Sequence, residues 1–266
     1  MKKQIRTGLF IFVFWIVIWF LLDNILSKKG ILFASPIDTL NVFIDQGQTG
    51  DFWRAIIYTF CGLAGGYVMS VVLASFAGFY AFFHPGFRKM VSPFLGFFGY
   101  IPMISFTVAA LIWYKGDNLF IPVSLFLSIP VIYKNTLAAM DNRDKNEMER
   151  IQTMKLGFRQ KMAYLYRPAL MPEYVIGCHR GLSMCWKSGI ISQYLSNKGL
   201  SIGAFLFTAK DEMDMASIFA WTIIIVALAK LFELIVLGLL SSDYINHSQV
   251  TLKDVYDIIE DEEESV

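Results

Sequence analysis

Arg180 and Lys187 stand seven residues apart in an otherwise apolar stretch, Pro172 to Leu195, a spacing of nearly two helical turns that sets both cations on one face. A cation inside lipid is costly, so such side chains face a cavity, a counter-charge or the headgroups. Arg180 lies where its long side chain can reach headgroups. Lys187 lies deeper, and two readings of it stay open: lining a pathway, or satisfying helix carbonyls. Gln193, near the end of the stretch, can hydrogen-bond across helices or line an outer mouth. His179 stands alone without neighbouring ligands, and Lys230 and Glu233, three residues apart in the last apolar run, can pair on one helix face. No set of nucleophile, base and orienting group can be assembled, and there is no phosphate-binding Gly-Lys-Ser/Thr loop. No catalytic residue, metal ligand or cofactor is therefore assigned to this chain, and a transport subunit is expected rather than an enzyme.

Those residues sit on elements that composition already bounds. Hydrophobic residues make up 56% of the chain, and apolar runs long enough for a bilayer recur, so the expected fold class is all-α, a polytopic membrane protein. A formal net charge of +1 gives no reason to expect nucleic acid as a partner. The odd count of three cysteines, Cys61, Cys178 and Cys185, all inside apolar stretches, reads as free packing thiols. Six transmembrane helices are expected: Leu9 to Leu26, Trp53 to Phe83, Phe94 to Trp113, Leu119 to Met140, Pro172 to Leu195 and Met215 to Leu240. The first follows Lys2, Lys3 and Arg6 but is too long for a signal core and is followed by no cleavage site, so it reads as a retained anchor. Pro102, Pro122 and Pro130 interrupt the third and fourth spans.

The basic residues of the short loops set the orientation. Arg88 and Lys89 follow the second span, and Arg143, Lys145, Arg150, Lys155, Arg159, Lys161 and Arg167 crowd the loop after the fourth. Both loops and both termini are expected in the cytoplasm, with the segments Ser27 to Phe52, Lys115 to Asn118 and Ser196 to Asp214 outside. The basic loop, Asp141 to Met171, reads as two short helices meeting at Leu156-Gly157, since glycine ends a helix without steric penalty. Its apolar stripe fits a groove on a soluble partner or the anionic inner leaflet, and the residues alone leave both open. On the fifth span Gly177, Gly181, Cys185 and Gly189 recur every four residues, a small-residue face for close helix packing.

Several runs together resemble one family. Ala34-Ser35-Pro36-Ile37-Asp38-Thr39-Leu40, Ile101-Pro102-Met103-Ile104-Ser105-Phe106, Ile129-Pro130-Val131-Ile132-Tyr133-Lys134-Asn135-Thr136, Leu156-Gly157, Arg167-Pro168-Ala169-Leu170-Met171-Pro172 and Trp186-Lys187-Ser188-Gly189-Ile190 follow in order over Ala34 to Leu240. They resemble the inner-membrane permeases of ATP-binding-cassette (ABC) importers, in the branch serving nitrate, taurine and aliphatic sulfonates. The departures are Gln152-Thr153 in place of the loop's paired alanines, Gln193 where the branch commonly has Glu, and Gly62 where it often has Arg.

The resemblance implies a type I importer: a single permease domain over 1–266 with its core over about 54–240, a coupling loop at 141–171 and an acidic tail at 241–266. It implies two permease copies, as a homodimer, with cytoplasmic ABC ATPase subunits that hold ATP and Mg, an extracytoplasmic solute-binding protein, and the cell's inner membrane as location. Glu149, Thr153, Met154, Leu156 and Gly157 would meet the ATPase; Lys187, Gln193 and Arg180 are candidates to line the pathway on their polarity within the fifth span, not on the resemblance. The rivals are an ion-gradient-driven secondary transporter, which needs buried acids and repeated broken helices, and a membrane enzyme or scaffold.

Overall fold

In the computed structural model, residues 2–141 and 167–245 are described, and among them every regular element is a helix. These are α1 (Lys2–Ser27), α2 (Pro36–Gly47), α3 (Gly50–Phe83), α4 (Pro85–Phe98), α5 (Met103–Trp113), α6 (Phe120–Asp141), α7 (Arg167–Ser196), α8 (Ile202–Asp211) and α9 (Met215–Ile245). The protein is an all-α, polytopic membrane protein. Among the described residues α3, α6 and Met215–Leu240 of α9 are long and apolar enough to cross a bilayer, and α4 with α5 makes a fourth if the bent pair counts as one span. The expected spans in α1 and α7 do not reach that standard: the apolar part of α1, Val13–Ser27, is short, and α7 carries Glu173, His179, Arg180 and Lys187.

The sequence reading needs correction at the third span. Phe94 to Trp113 is not one helix: α4 and α5 meet at a break over residues 99–102 and are bent by 100°. Pro102 is the N-cap of α5, where its missing N–H costs no helical bond, and the last carbonyls of α4 accept from Gly99, Tyr100 and Ile101. Pro130, by contrast, lies inside an uninterrupted α6, and Pro122 sits in its first turn, so the fourth span is unbroken. The connections expected as loops also hold short helices. Ser35 caps α2, its Oγ accepting from Asp38 N at 3.0 Å with Pro36 next in line, and Ser201 caps α8 by accepting from Ala204 N at 3.2 Å.

The described contacts fall into two compact units, Met1–Phe60 with Gln193–Leu228, and Cys61–Ser192 with Ala229–Val266. In the first, the Trp19 indole donates to Ala34 O at 3.0 Å, and Phe219 meets Trp19 and Phe33 edge to face. Trp221 is 1% exposed and packs between Phe52 and Phe205.

In the second unit α7 lies antiparallel against α6 and α3. A Cβ added at Gly177 would fall on Asn135, one at Gly181 on Ile132 and one at Gly189 on Leu63, so all three glycines permit backbones to approach. Gly66 and Gly78 of α3 likewise lie against Ser124 and Thr136, which sets α3 parallel to α6. At such separations side chains reach the neighbouring main chain: Tyr67 Oη donates to Cys178 O at 2.9 Å, and Cys185 Sγ lies 3.7 Å from Leu63 O. Ser75 and Tyr174 hydroxyls meet at 2.9 Å. Leu237 of α9 packs on Val175 and Ile176, and Arg88 at the start of α4 grips the last residue of α6 with two bonds, Nη1 to Asp141 Oδ1 at 2.9 Å and Nη2 to Oδ2 at 2.7 Å. Gly181→Val is expected to destabilise the folded protein by about 1–3 kcal/mol through overpacking against Ile132. Gly65→Ala, where a Cβ meets nothing within 4 Å, should leave it unchanged. Melting of the detergent-solubilised variants separates the two.

Candidate functional site

The residues singled out from sequence fall in three different places. Gln193 is 2% exposed near the end of α7, and its side chain reaches the start of α8. Oε1 accepts from Thr59 Oγ1 at 3.2 Å and from Gly203 N at 3.3 Å, while Thr59 Oγ1 accepts from Ile202 N at 3.2 Å. Because both donors aim at one atom, that atom is the amide oxygen. With Ser201 on Ala204 N, three successive N–H groups at the N-terminus of α8 are satisfied by three side chains. Nε2 is buried without a partner among the described residues. The chain reaches this geometry by turning through Asn197 (φ 46°) and Gly199 (φ 66°), and a Cβ on Gly203 would collide with the Gln193–Tyr194 backbone. Gly203 was not legible as a site residue; the Ser201 cap two residues earlier was its one signal.

Arg180 is half-buried on α7 and faces a cavity of about 580 Å³ walled by α4, α6 and α7. Lys134, Asn135, Tyr133 and Ser92 share its lining, together with Gly99 and Tyr100 from the α4–α5 break. Tyr133 and Ser92 hydroxyls are 2.7 Å apart, and Asn135 Nδ2 donates to Val131 O at 2.8 Å. Lys134 is exposed to this space and makes no hydrogen bond or ion pair to any described residue. Sequence reasoning passed over Lys134, although a charge four residues beyond Pro130 in an apolar run is the kind of signal that marked Lys187.

Lys187 lies exposed on α7. The structure thus sets Arg180 in a cavity, Lys187 on a helix surface and Gln193 in a buried cap, and does not bring the three together. The coupling-loop residues Glu149, Thr153, Met154, Leu156 and Gly157 lie outside the described residues.

A polar group that the sequence left divided is assembled between α7 and α9. Lys230 Nζ meets Glu233 at 2.9 Å, as the spacing suggested, and His179 Nε2 lies 3.4 Å from Glu233 Oε1. His179 is therefore not isolated: a position 54 residues away in sequence supplies its neighbour. Its Nδ1 is buried without a partner among the described residues, and Phe232 carries the surrounding apolar contact to Tyr67 and Trp186. The described residues hold no group of three or more acids, histidines and cysteines arranged for a metal ion.

Broken and unbroken apolar helices, among them those around the cavity lined by Arg180 and Lys134, define a polytopic membrane protein. No family model matches the chain. It is similar, at 23% identity over 212 residues, to the formylaminopyrimidine transport permease protein ThiX of Halalkalibacterium halodurans, a match covering 79% of this chain and 83% of that protein.

The Gln193 cluster yields a graded expectation. Gln193→Leu leaves two buried donors unmet and is expected to cost about 1–3 kcal/mol. Gln193→Glu should cost less, since a carboxylate accepts from the same two groups and suits a helix N-terminus. Gly203→Ala should be at least as damaging as Gln193→Leu, because the obstruction is backbone. Thermal melting of the three variants tests the ranking, and a Glu variant weaker than the Leu variant would refute this account of the cap.

Proposed function

We propose that this chain is the membrane permease of a type I ABC importer, moving a small solute into the cytoplasm. The observation that carries this reading is the likeness to a transport permease over four-fifths of both chains. It is supported by the ordered motifs from Ala34 to Leu240 and by the basic segment between α6 and α7. On this reading the helix-forming loop at 141–171 docks on a cytoplasmic ATPase subunit through Glu149, Thr153, Met154, Leu156 and Gly157. ATP and Mg reside on that partner, and two permease copies with an external binding protein complete the assembly in the inner membrane. Both termini are then cytoplasmic, and α1 and α7 cross the bilayer beside their more apolar neighbours to make six spans. A formylaminopyrimidine enters as a candidate solute from the relative, beside the sulfonates, nitrate, taurine and vitamin precursors that the sequence leaves open. ATP-driven closure of the ATPase pair would bias the permease between inward- and outward-facing states, so differential contact at the docking loop transmits the signal.

One observation speaks for the ion-driven rival: Glu233 is buried against His179 near the middle of α9. Vesicle uptake with and without ATP decides between them. Under the importer reading, formylaminopyrimidine or taurine uptake stops when ATP is removed, and a Met154→Cys variant cross-links to an ABC ATPase. Gly157→Val is expected to insert normally and lose ATP-coupled uptake, since a β-branched residue resists left-handed geometry. Uptake that persists without ATP and follows an ion gradient would overturn the reading.

A further inference from the structure

The short helix α2 carries more apolar surface than its contacts use. At about 100° per residue, Ile37, Leu40, Phe43 and Ile44 fall within about a third of its circumference. Each of the four is 43% exposed or more. Asp38, Asn41 and Asp45 are exposed on the adjoining arc. The third side is committed to protein: Thr39 is buried, and Gln46 Nε2 donates to Ser217 Oγ of α9 at 3.0 Å. These contacts fix the roll of the helix, so the apolar arc cannot turn inward.

The depth of α2 is set by α3. That helix is long and apolar enough to cross a bilayer, and its charged residues, Asp51 and Arg54, lie in its first turn, paired at 3.5 Å and exposed. From Ala55 to Phe83 no residue is charged, so the hydrocarbon begins beside Arg54. α2 ends at Gly47, just ahead of Gly50 where α3 starts, and the Trp53 indole donates to Gly47 O at 2.9 Å. Trp53 is exposed, an amphipathic ring of the kind that sits at headgroup level. The end of α2 is thereby tied to the membrane boundary. At 12 residues it is about 18 Å long, too short to cross a core of about 30 Å. Its apolar arc is also continuous with the outer side of α3: Phe43 meets Phe52 edge to face at 6.0 Å, Phe52 meets Trp53 at 5.3 Å, and Ile57, one turn further on, is exposed.

We propose that α2 is an interfacial helix, with Ile37, Leu40, Phe43 and Ile44 seated between the headgroups and the acyl chains and with Asp38, Asn41 and Asp45 turned to water. A helix so placed sinks its apolar side about 5–10 Å below the water boundary, and removing four large side chains from water is what holds it there. The polar arc is acidic rather than basic, so attraction to anionic headgroups has no part in the seating. The inference needs α3 to be a span; neither the importer reading nor the side of the membrane on which α2 lies enters it.

The test uses the full-length protein in nanodiscs, with single-cysteine variants made in Cys61→Ser, since Cys178 and Cys185 are buried. Ile37→Cys, Leu40→Cys and Ile44→Cys sample the apolar arc, Asn41→Cys and Asp45→Cys the polar arc, and Ile57→Cys the outer side of α3. All six positions are exposed, so a fluorescent label displaces no packing. Each label is quenched in turn by phospholipid bearing a nitroxide near the top of its acyl chain and by a neutral, water-soluble nitroxide. Labels on the apolar arc and at Ile57 are expected to be quenched several-fold more by the lipid nitroxide than labels at Asn41 and Asp45, with the soluble nitroxide giving the reverse. The pattern should be the same in phosphatidylcholine discs with and without phosphatidylglycerol. Arc labels that the soluble nitroxide reaches as readily as it reaches Asn41 and Asp45 place the arc in water and overturn the proposal. Arc labels shielded from both quenchers place it under a second copy or another protein and overturn it equally. Lipid quenching at Ile57 without lipid quenching on the arc refutes the interfacial helix while leaving α3 a span.

Discussion

The closeness of α7 to α6 and α3 is the constraint on which the second unit depends. Between helices in lipid there is no gain from leaving water, so association rests on contact and hydrogen bonding. The glycines at 177, 181 and 189 remove the side chains that would keep the backbones apart, and polar atoms then find carbonyls on the neighbouring helix. With α7 fixed in this way, its remaining faces are committed: Arg180 toward the cavity beside α6, and His179 toward Glu233 on α9. The polar residues of the most hydrophilic long helix are thereby sorted by a row of residues that carry no chemistry themselves.

The first unit solves a different problem with the same economy. A short helix such as α8 begins with N–H groups that no helical carbonyl accepts, and burying them is costly. Thr59, Gln193 and Ser201 come from three separate segments and supply the missing acceptors. Gln193 was read in sequence as a polar side chain facing a partner helix or an outer mouth. Its placement against α8 follows from backbone requirements that no hydrophobic pattern expresses.

What could be read beforehand was what length and apolar content decide: helices throughout, long membrane-type segments at α3, α6 and α9, and the four-residue stripe of α7. The break between α4 and α5 was hidden because the sequence is equally apolar on both sides of Gly99 to Pro102, and proline alone does not tell a kink from a stop. Pro130 lies in an intact helix while Pro102 heads a new one. The His179–Glu233 contact and the Arg88–Asp141 fork were hidden because they join residues more than fifty apart, which only tertiary packing brings together. Lys134 lies within Ile129–Thr136, where a single charge in an apolar run carries no spacing signal of its own.

The fork between Arg88 and Asp141 closes the last turn of α6 immediately before residue 142. A displacement arriving along the chain at that point meets two load paths: the covalent one into α6, and the ionic one into the first turn of α4. Both partners are partly open to solvent, at 43% and 36% exposure, so the ionic path is worth no more than about 1 kcal/mol and weakens as salt is added. Ionic strength therefore tunes one of the links between these two helices, while the uncharged Ser92–Tyr133 hydroxyl contact ties α4 to α6 whatever the salt concentration.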